Sequence, residues 1–284
     1  MYKIVTKKVL NPTVTMMEIE APLVANKAKA GQFIILRVDD EGERIPLTVA
    51  GYDRERGTVK IIFQIVGATT AKLNAKYEGD FIEDFVGPLG KPTELSGLSD
   101  VCIVGGGVGC AIALPVAEAL REMGARVTSI IGFRNRDLVI LEDEFRACSD
   151  ELVVMTDDGS YGREGNVCLP LNEMFDKGRK FDKVITIGPL IMMKFVVEAT
   201  RKTEIPCDVS MNPIMIDGTG MCGGCRLTLV QDGKRVVKFA CVDGPDFNGY
   251  EVDFDEAMSR GRMYMGFERH AYESACNLLN KEVK

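Results

Sequence analysis

The sequence contains no tryptophan and only one histidine, His270, among its 284 residues. A single histidine near the C-terminus disfavours a Ser-His-Asp triad, a histidine-rich zinc site and a haem ligand set. Any catalysis is then expected to come from a bound cofactor, which the protein binds and orients. The informative residues are therefore those that could hold such a group.

Blocks of lysine and arginine are also absent. The chain has 35 basic residues against 42 acidic ones, which gives a formal net charge of −7. Nucleic-acid binding depends largely on the neutralisation of phosphates, and anionic membranes attract basic segments. The charge balance therefore disfavours both a nucleic acid and a membrane as partners.

One uncharged run comes close to the length of a membrane span. Val101–Ala117 has 17 residues, whereas a spanning helix needs about 20. The run includes four glycines and Pro115, a composition typical of a strand, a turn and a helix. The N-terminus leads directly into a strand-like pattern without the apolar segment of a secretory signal, so we expect a cytoplasmic protein.

The nine cysteines are an odd number, which argues against a disulfide framework in a cytoplasmic chain. Cys222, Cys225 and Cys241 lie among glycines and indicate a metal or cluster site. The other six are expected to be small buried hydrophobic residues; they are Cys102, Cys110, Cys148, Cys168, Cys207 and Cys276.

The chain changes character twice along its length. Residues 1–97 contain short segments rich in Val, Ile, Thr and Phe, which are typical of an antiparallel barrel. Residues 98–205 alternate apolar strands with helices and predict a parallel α/β sheet. Residues 206–284 contain a Gly/Cys-rich loop, a hairpin pattern around Asp232-Gly233 and terminal helical segments. The predicted fold class is all-β plus α/β, in three domains.

The most specific pattern is Asp217-x4-Cys222-x2-Cys225-x15-Cys241. Plant-type [2Fe–2S] sites have the spacing C-x4-C-x2-C with a distant fourth cysteine, so an aspartate here takes the first position. A carboxylate oxygen can replace a thiolate on ferric iron, and the intervening glycines permit tight turns around a cluster. Three alternatives stay open: a Cys3Asp zinc knuckle, Cys207 as fourth ligand, and unligated cysteines.

Two patterns in the first region could bind a pyrophosphate. Arg44-Ile-Pro-Leu-Thr48 offers a cation and a hydroxyl where Pro46 interrupts a strand edge, although an arginine at such an edge is often only solvated. Gly67-Ala-Thr-Thr70 precedes a helix, whose N-terminus is a second candidate for anion binding. Thr70 could either cap that helix or donate to a phosphate.

Two patterns in the second region favour a nucleotide. Gly105-Gly-Gly-Val-Gly109 lies between a strand and a helix. It departs from G-x-G-x-x-G, so it could instead serve close strand–helix packing. Asp157 and Asp158 follow a later strand, where a carboxylate accepts a ribose 2′-hydroxyl and repels a 2′-phosphate. They favour NAD(H) over NADP(H), and the alternative is an ordinary acidic turn.

In this order the patterns resemble the ferredoxin reductase-like flavoprotein superfamily, in its electron-transfer branch with a C-terminal [2Fe–2S] module. Two groups of that branch match. One contains the small subunits of NADH-dependent reduced ferredoxin:NADP oxidoreductase, with a related sulfide dehydrogenase subunit. The other contains the electron-transfer subunits of dihydroorotate dehydrogenase B. Met211–Cys222 and Phe239–Pro245 are most similar to the first group, and the second usually has cysteine where Asp217 stands.

The resemblance implies an antiparallel FAD-binding barrel at 1–97, a parallel α/β NAD(H)-binding domain at 98–205 and a small [2Fe–2S] module at 206–284. The implied FAD residues are Arg44, Pro46, Leu47, Thr48, Ile62, Phe63, Gln64, Gly67, Thr69 and Thr70. The implied nicotinamide-nucleotide residues are Gly106, Gly107, Gly109, Asp157, Gly159, Gly188 and Met192. The implied cluster ligands are Asp217, Cys222, Cys225 and Cys241. Pro46 stands where the wider superfamily has a tyrosine, so that aromatic ring is missing beside the flavin.

The implied activity is that of an electron-transfer subunit in a heterodimer. NADH would reduce FAD, and the cluster would relay single electrons to a larger subunit with its own flavin or iron–sulfur centres. The first group implies bifurcation or confurcation among NAD(H), NADP(H) and ferredoxin, with ferredoxin reached through the complex. The second implies electron delivery from dihydroorotate to NAD. An alternative of another class is a non-enzymatic zinc-binding adaptor.

Overall fold

The computed structural model describes residues 1–282 and the side chains as far as residue 274. The N-terminal part consists of seven strands and two short helices. These are β1 Tyr2–Asn11, β2 Val14–Glu20, α1 Pro22–Ala25, β3 Phe33–Arg37, β4 Arg44–Asp53, β5 Thr58–Gln64, α2 Ala68–Ala75, β6 Phe81–Ile82 and β7 Asp84–Leu89.

The seven strands form one antiparallel sheet in the order β6-β1-β2-β5-β4-β3-β7. The end strands β6 and β7 are separated in sequence only by Glu83, so the sheet is nearly closed into a barrel. Because side chains alternate between the two faces of a strand, one set fills the interior. Ile4, Phe63 and Phe85 belong to it and are at most 1% exposed.

The central part alternates strands and helices, as the sequence predicts. Its elements are β8 Asp100–Gly106, α3 Cys110–Glu122, β9 Arg126–Phe133, α4 Glu142–Cys148, β10 Glu151–Thr156, β11 Arg163–Glu164, α5 Cys168–Asp176, β12 Lys183–Ile187, α6 Leu190–Arg201 and β13 Cys207–Ser210. The sheet order is β11-β10-β9-β8-β12-β13, with all neighbours parallel. Helices α3 and α4 cover one face, and α5 and α6 cover the other.

The C-terminal part contributes to two sheets. Its elements are β14 Arg226–Gln231, β15 Lys234–Phe239, α7 Ala240–Asp243, β16 Asp246–Asn248, α8 Phe254–Gly261 and α9 Met265–Glu282. Strands β14 and β15 form a hairpin in which Asp232 and Gly233 both have positive φ, as a type I′ turn requires. Strand β16 pairs with β13 in antiparallel register, and α9 packs against α2 of the barrel.

The sequence pattern predicts neither strand β13 nor strand β16. Both are very short, so neither shows a recognisable alternation of apolar and polar residues. Strand β13 follows residue 205 yet pairs with β12, so the parallel sheet extends past the predicted end of the second domain. The domain boundaries at 97 and 205 stay predictions.

Of the six scattered cysteines, Cys168 is half-buried and the side chain of Cys276 lies outside those described. The other four are buried; they are Cys102, Cys110, Cys148 and Cys207. Within residues 1–282, no helix combines the length and the apolar composition needed to cross a membrane.

Candidate functional site

A cavity of about 1140 Å³ lies between the barrel and the carboxyl ends of the parallel strands. Ligands bind at this edge in open α/β sheets, and the volume exceeds that of the usual pocket for one small molecule. Most of the predicted cofactor residues line it. They are Pro46, Leu47, Thr48, Ile62, Phe63, Gln64, Thr70, Gly106, Gly107, Gly109, Asp157, Gly188 and Met192.

The barrel side of the cavity begins at an unpaired edge of β4. Strand β5 pairs with β4 only from Val49 onward, whereas β3 pairs with β4 from Arg44 to Thr48. A proline is tolerated at such an edge, and Pro46 lies opposite Ile35 of β3. The edge at residues 45–48 therefore faces the cavity instead of a neighbouring strand.

Arg44 lies outside the cavity lining. Its Nη2 atom is 3.8 Å from Oδ2 of Asp84, and its side chain is about half exposed. Arg37 holds the same carboxylate oxygen at 2.7 Å, so Arg44 is the weaker partner of Asp84. The contribution of Arg44 to FAD binding stays a prediction.

Thr70 caps the segment that precedes α2. Its Oγ1 accepts hydrogen bonds from the backbone N–H groups of Val66 and Gly67, each at 3.0 Å, and donates to the Gly67 carbonyl at 2.9 Å. These bonds use the full capacity of a hydroxyl group, so of the two roles left open for Thr70 the structure shows the capping one. Gly67 and Thr69 lie outside the lining, and Thr69 donates to Glu43.

Glycines form the floor of the cavity beneath Met192. A Cβ atom on Gly109 would lie 2.5 Å from the Ile187 carbonyl oxygen, and one on Gly106 would lie 2.3 Å from Sδ of Met192. Both contacts are impossibly short, so α3 and Met192 approach the strand ends only because these positions lack side chains. The glycine run thus serves close packing and also exposes backbone to the cavity.

Asp157 and Asp158 have different roles. Asp158 accepts hydrogen bonds from the hydroxyl and the amide of Ser160, which lower the pKa of Asp158. Asp157 lines the cavity, whereas Asp158 and Gly159 do not. Asp157 is therefore the carboxylate that could accept a ribose hydroxyl. Arg134 also lines the cavity; its position directly after β9 is a signal that the sequence analysis missed.

The C-terminal part supplies another wall that the sequence analysis missed. It consists of Ser210, Met211, Asn212, Met215 and Pro245. Ser210 ends β13, and the others lie between β13 and β16, two strands that the sequence pattern does not reveal. The cavity is therefore bounded by all three regions of the chain.

The loop at residues 217–225 wraps around its own polar groups. The Asp217 carboxylate accepts the amides of Thr219 and Cys222, each at 2.9 Å; the Thr219 bond is the main reason that the pKa of Asp217 is low. The Cys222 sulfur accepts the Gly224 amide at 3.4 Å. The loop turns at Gly218, Gly220 and Gly223, which all have positive φ.

The four predicted ligands fall into two adjacent pairs. Asp217 bonds the Cys222 amide, while the sulfurs of Cys225 and Cys241 are 3.2 Å apart and form no disulfide. Burial raises the pKa of the Cys241 thiol to about 12, so ligation would displace its proton. Backbone N–H groups point at sulfurs, and the donor set of one carboxylate and three thiols suits iron. The residue types therefore suit an iron–sulfur cluster, and their assignment as its ligands stays a prediction.

The alternative ligand sets receive less support from the geometry. Cys207 lies in β13 within the parallel sheet and is 1% exposed, apart from the loop. In the part of the chain that the structure describes, no three His, Cys, Asp or Glu side chains converge as a single metal ion requires.

The loop at residues 217–225, called the cluster loop from here on, packs directly against the barrel. A Cβ atom on Gly218 would lie 2.6 Å from Cδ1 of Leu89 and 3.2 Å from Cγ1 of Ile35. Ile35 is paired with Pro46, and Pro46 lines the cavity. Ile35 is therefore the residue that lies between the loop and Pro46 of the cavity wall.

Comparisons with known proteins show what this chain is similar to. Residues 212–253 match the iron–sulfur cluster binding domain of dihydroorotate dehydrogenase B. A dihydroorotate dehydrogenase B (NAD(+)) electron transfer subunit homolog from Thermotoga maritima is 48% identical over 255 residues, covering 90% of this chain and 88% of the relative. The corresponding subunit from Streptococcus pneumoniae is 35% identical over 250 residues, covering 86% and 94%.

A solved structure extends the comparison to three dimensions. It belongs to a study of flavin-based electron bifurcation in the NADH-dependent reduced ferredoxin-NADP oxidoreductase. The matched chain is 45% identical, with a TM-score of 0.90, and the alignment covers 96% of this chain and 97% of that one.

Proposed function

The chain belongs to the family of dihydroorotate dehydrogenase B electron transfer subunits, and on that premise we propose that it carries electrons between NAD(H) and a larger partner subunit. It is an oxidoreductase subunit with FAD, NAD(H) and a [2Fe–2S] cluster as cofactors. When bound, FAD exchanges electron pairs with NAD(H) and single electrons with the cluster. The chain itself binds these groups, orients them and keeps them close together.

We assign the cavity to the two nucleotide cofactors. The β4 edge at Pro46–Thr48 and the β5 residues Ile62–Gln64 would hold the flavin from the barrel side. The glycine floor, Met192 and Asp157 would hold the nicotinamide nucleotide from the sheet side. Backbone amides left free by glycines suit phosphate groups, and the carboxylate of Asp157 suits a ribose hydroxyl.

The observation that carries the proposal is the contact of Gly218 with Leu89 and Ile35. Through this contact the cluster loop packs against the barrel, and only Ile35 lies between it and Pro46, on the side of the cavity that we assign to the flavin. The arrangement needs no general acid or base from the chain, which agrees with its single histidine.

The surroundings of the cluster loop support the docking of a partner. Large apolar side chains are exposed there: Met221 at 88%, Ile216 at 52%, Ile214 at 43% and Val242 at 41%. Cys222 is itself exposed. A group of exposed apolar residues on a soluble fold is typical of an interface, so we propose that the larger subunit covers this face.

Within the family, we favour bifurcation or confurcation with ferredoxin and NADP(H) over electron delivery from dihydroorotate. The favouring features are the structural match to the ferredoxin-NADP oxidoreductase chain and the aspartate at position 217. Dihydroorotate dehydrogenase is the second candidate, supported by the named relatives. Mass spectrometry of the subunit that co-purifies with the chain distinguishes the two.

The cluster assignment is tested on protein purified without air. We expect flavin absorbance, and iron and acid-labile sulfide in equal amounts. Zinc in a colourless protein would refute the assignment and favour the adaptor.

The ligand assignment is tested with Asp217→Cys. The variant should retain a cluster, but its EPR g-values and potential should change because thiolate is a more covalent donor than carboxylate. Cys207→Ala is the matched control and should leave the spectrum unchanged. An Asp217→Cys spectrum identical to that of the parent would show that Asp217 is not a ligand.

A further inference from the structure

A buried carboxyl group lies where the first and the third regions of the chain meet. Asp246 begins β16 and accepts a hydrogen bond from Oγ1 of Thr93 at 2.5 Å. Its other oxygen, Oδ1, is buried and has no hydrogen-bond partner among the residues that the structure describes. Burial raises the pKa of Asp246. A buried polar group is costly unless it is bonded, so the Thr93 bond has a clear energetic reason.

Thr93 is itself anchored to the barrel. It belongs to the linker between β7 and β8, and its amide donates to the Ala30 carbonyl at 3.0 Å. Gly31 lies so close that a Cβ atom there would be 2.1 Å from Oγ1 of Thr93. The hydroxyl that bonds Asp246 is therefore held in place by backbone of the barrel.

The segment that ends at Asp246 is held from two sides. The Lys91 amide of the same linker donates to the Gly244 carbonyl at 2.7 Å, and the Met211 amide donates to the Pro245 carbonyl at 2.9 Å. Ser210 is the register partner of Asp246 in the sheet. Pro245 lines the cavity, and the predicted ligand Cys241 lies five residues before Asp246 in the sequence.

We propose that Asp246 is a positioning residue, which through Thr93 sets the separation between the flavin side of the cavity and the cluster loop. This inference rests on the proposed function. Hydride transfer from NADH would oxidise NADH to NAD+ and deliver two electrons to FAD. Each electron that then passes to the cluster would oxidise the flavin by one electron and reduce the cluster by one electron. The hydrogen bond from Thr93 to Asp246 therefore affects the rate of electron transfer from FAD to the cluster and leaves the rate of hydride transfer from NADH to FAD unchanged.

The test uses the full chain with its cofactors and the variant Thr93→Val, which removes the hydroxyl but keeps the side-chain shape. Stopped-flow absorbance follows flavin reduction by NADH and cluster reduction separately. We expect cluster reduction to slow several-fold while flavin reduction is unchanged. A readout independent of turnover is the relaxation of the FAD phosphorus NMR signals by the reduced, paramagnetic cluster, which should change in the same variant.

Conservative variants separate positioning from simple stabilisation. Thr93→Ser keeps the hydroxyl and Asp246→Asn keeps an acceptor oxygen, so in both variants cluster reduction and phosphorus relaxation should stay close to the parent values. Asp182→Asn is the matched control, because Asp182 also bonds the linker, at Ser99, and its side-chain hydrogen bonds among the described residues go to Ser99 and Asp100. It should leave both readouts unchanged.

The inference is wrong if Thr93→Val slows both steps equally, or lowers only the resistance to urea while cluster reduction and relaxation stay as in the parent. If Thr93→Val does not fold, Thr93→Ala, which also removes the hydroxyl, carries the same expectations. Absence of flavin or cluster from the parent protein would instead refute the proposed function, so the two failures are distinguishable.

Discussion

Gly109 gives the sharpest test of how the cavity floor is built. Its backbone already has right-handed helical angles, with φ −59° and ψ −22°, so alanine fits this conformation and gains at most the about 0.5–1 kcal/mol of a helix interior. Against this, a Cβ atom would lie 2.5 Å from the Ile187 oxygen and 2.8 Å from Cα of Gly188. These are backbone atoms, so no side-chain rotation relieves the contact.

Overpacking of this kind costs about 1–3 kcal/mol, which exceeds the gain. Gly109→Ala should therefore lower the free energy of unfolding by about 1 kcal/mol, the difference between the middle values of these two ranges. Urea unfolding, followed by circular dichroism, measures the change as a lower midpoint with an unchanged slope. NAD(H) affinity should also fall, because Gly109 and Gly188 both line the cavity.

The matched control is Gly261→Ala at the end of α8. This position has no atom within 4 Å of an added Cβ and no positive φ, so the same substitution should be neutral or slightly stabilising. If Gly109→Ala behaves like Gly261→Ala, then α3 does not depend on the close approach to β12, and the packing argument fails.

Two further predictions concern charged residues. Arg44→Ala should reduce FAD retention after gel filtration, because a cation near the pyrophosphate is lost; Arg56→Ala, which removes a barrel arginine that pairs with Glu18, is the control, and equal flavin content in the two variants would contradict the role of Arg44. Asp150 accepts the Val127 amide, which chiefly lowers the pKa of Asp150. Its stabilising effect is therefore complete above its unfolded pKa of about 4 and is lost as pH falls through the lower folded value. Urea midpoints of parent and Asp150→Asn should converge as the pH is lowered from 6 to 3, and a constant difference would exclude this linkage.

Several features of this protein follow from interactions between residues that are close together in the sequence, so the sequence alone predicts them. The alternation of apolar residues in β1–β5 predicts strands because each strand has one face towards a core. The spacing Asp217-x4-Cys222-x2-Cys225 predicts a cluster loop because the ligands, and the glycines that turn the backbone between them, are local. The Asp232-Gly233 hairpin likewise depends only on adjacent residues.

Other features were decided by contacts between residues far apart in sequence. Strand β13 is only Cys207–Ser210 and exists because β12 and β16 pair with it. The hydrogen bond from Thr93 to Asp246 joins residues 153 positions apart, and nothing local marks either residue. Arg44 belongs to a recognisable motif, yet Asp84 and the barrel surface determine where its side chain lies. Motifs follow from local spacing, whereas the junction that brings the cavity and the cluster loop together depends on long-range packing that only the folded chain provides.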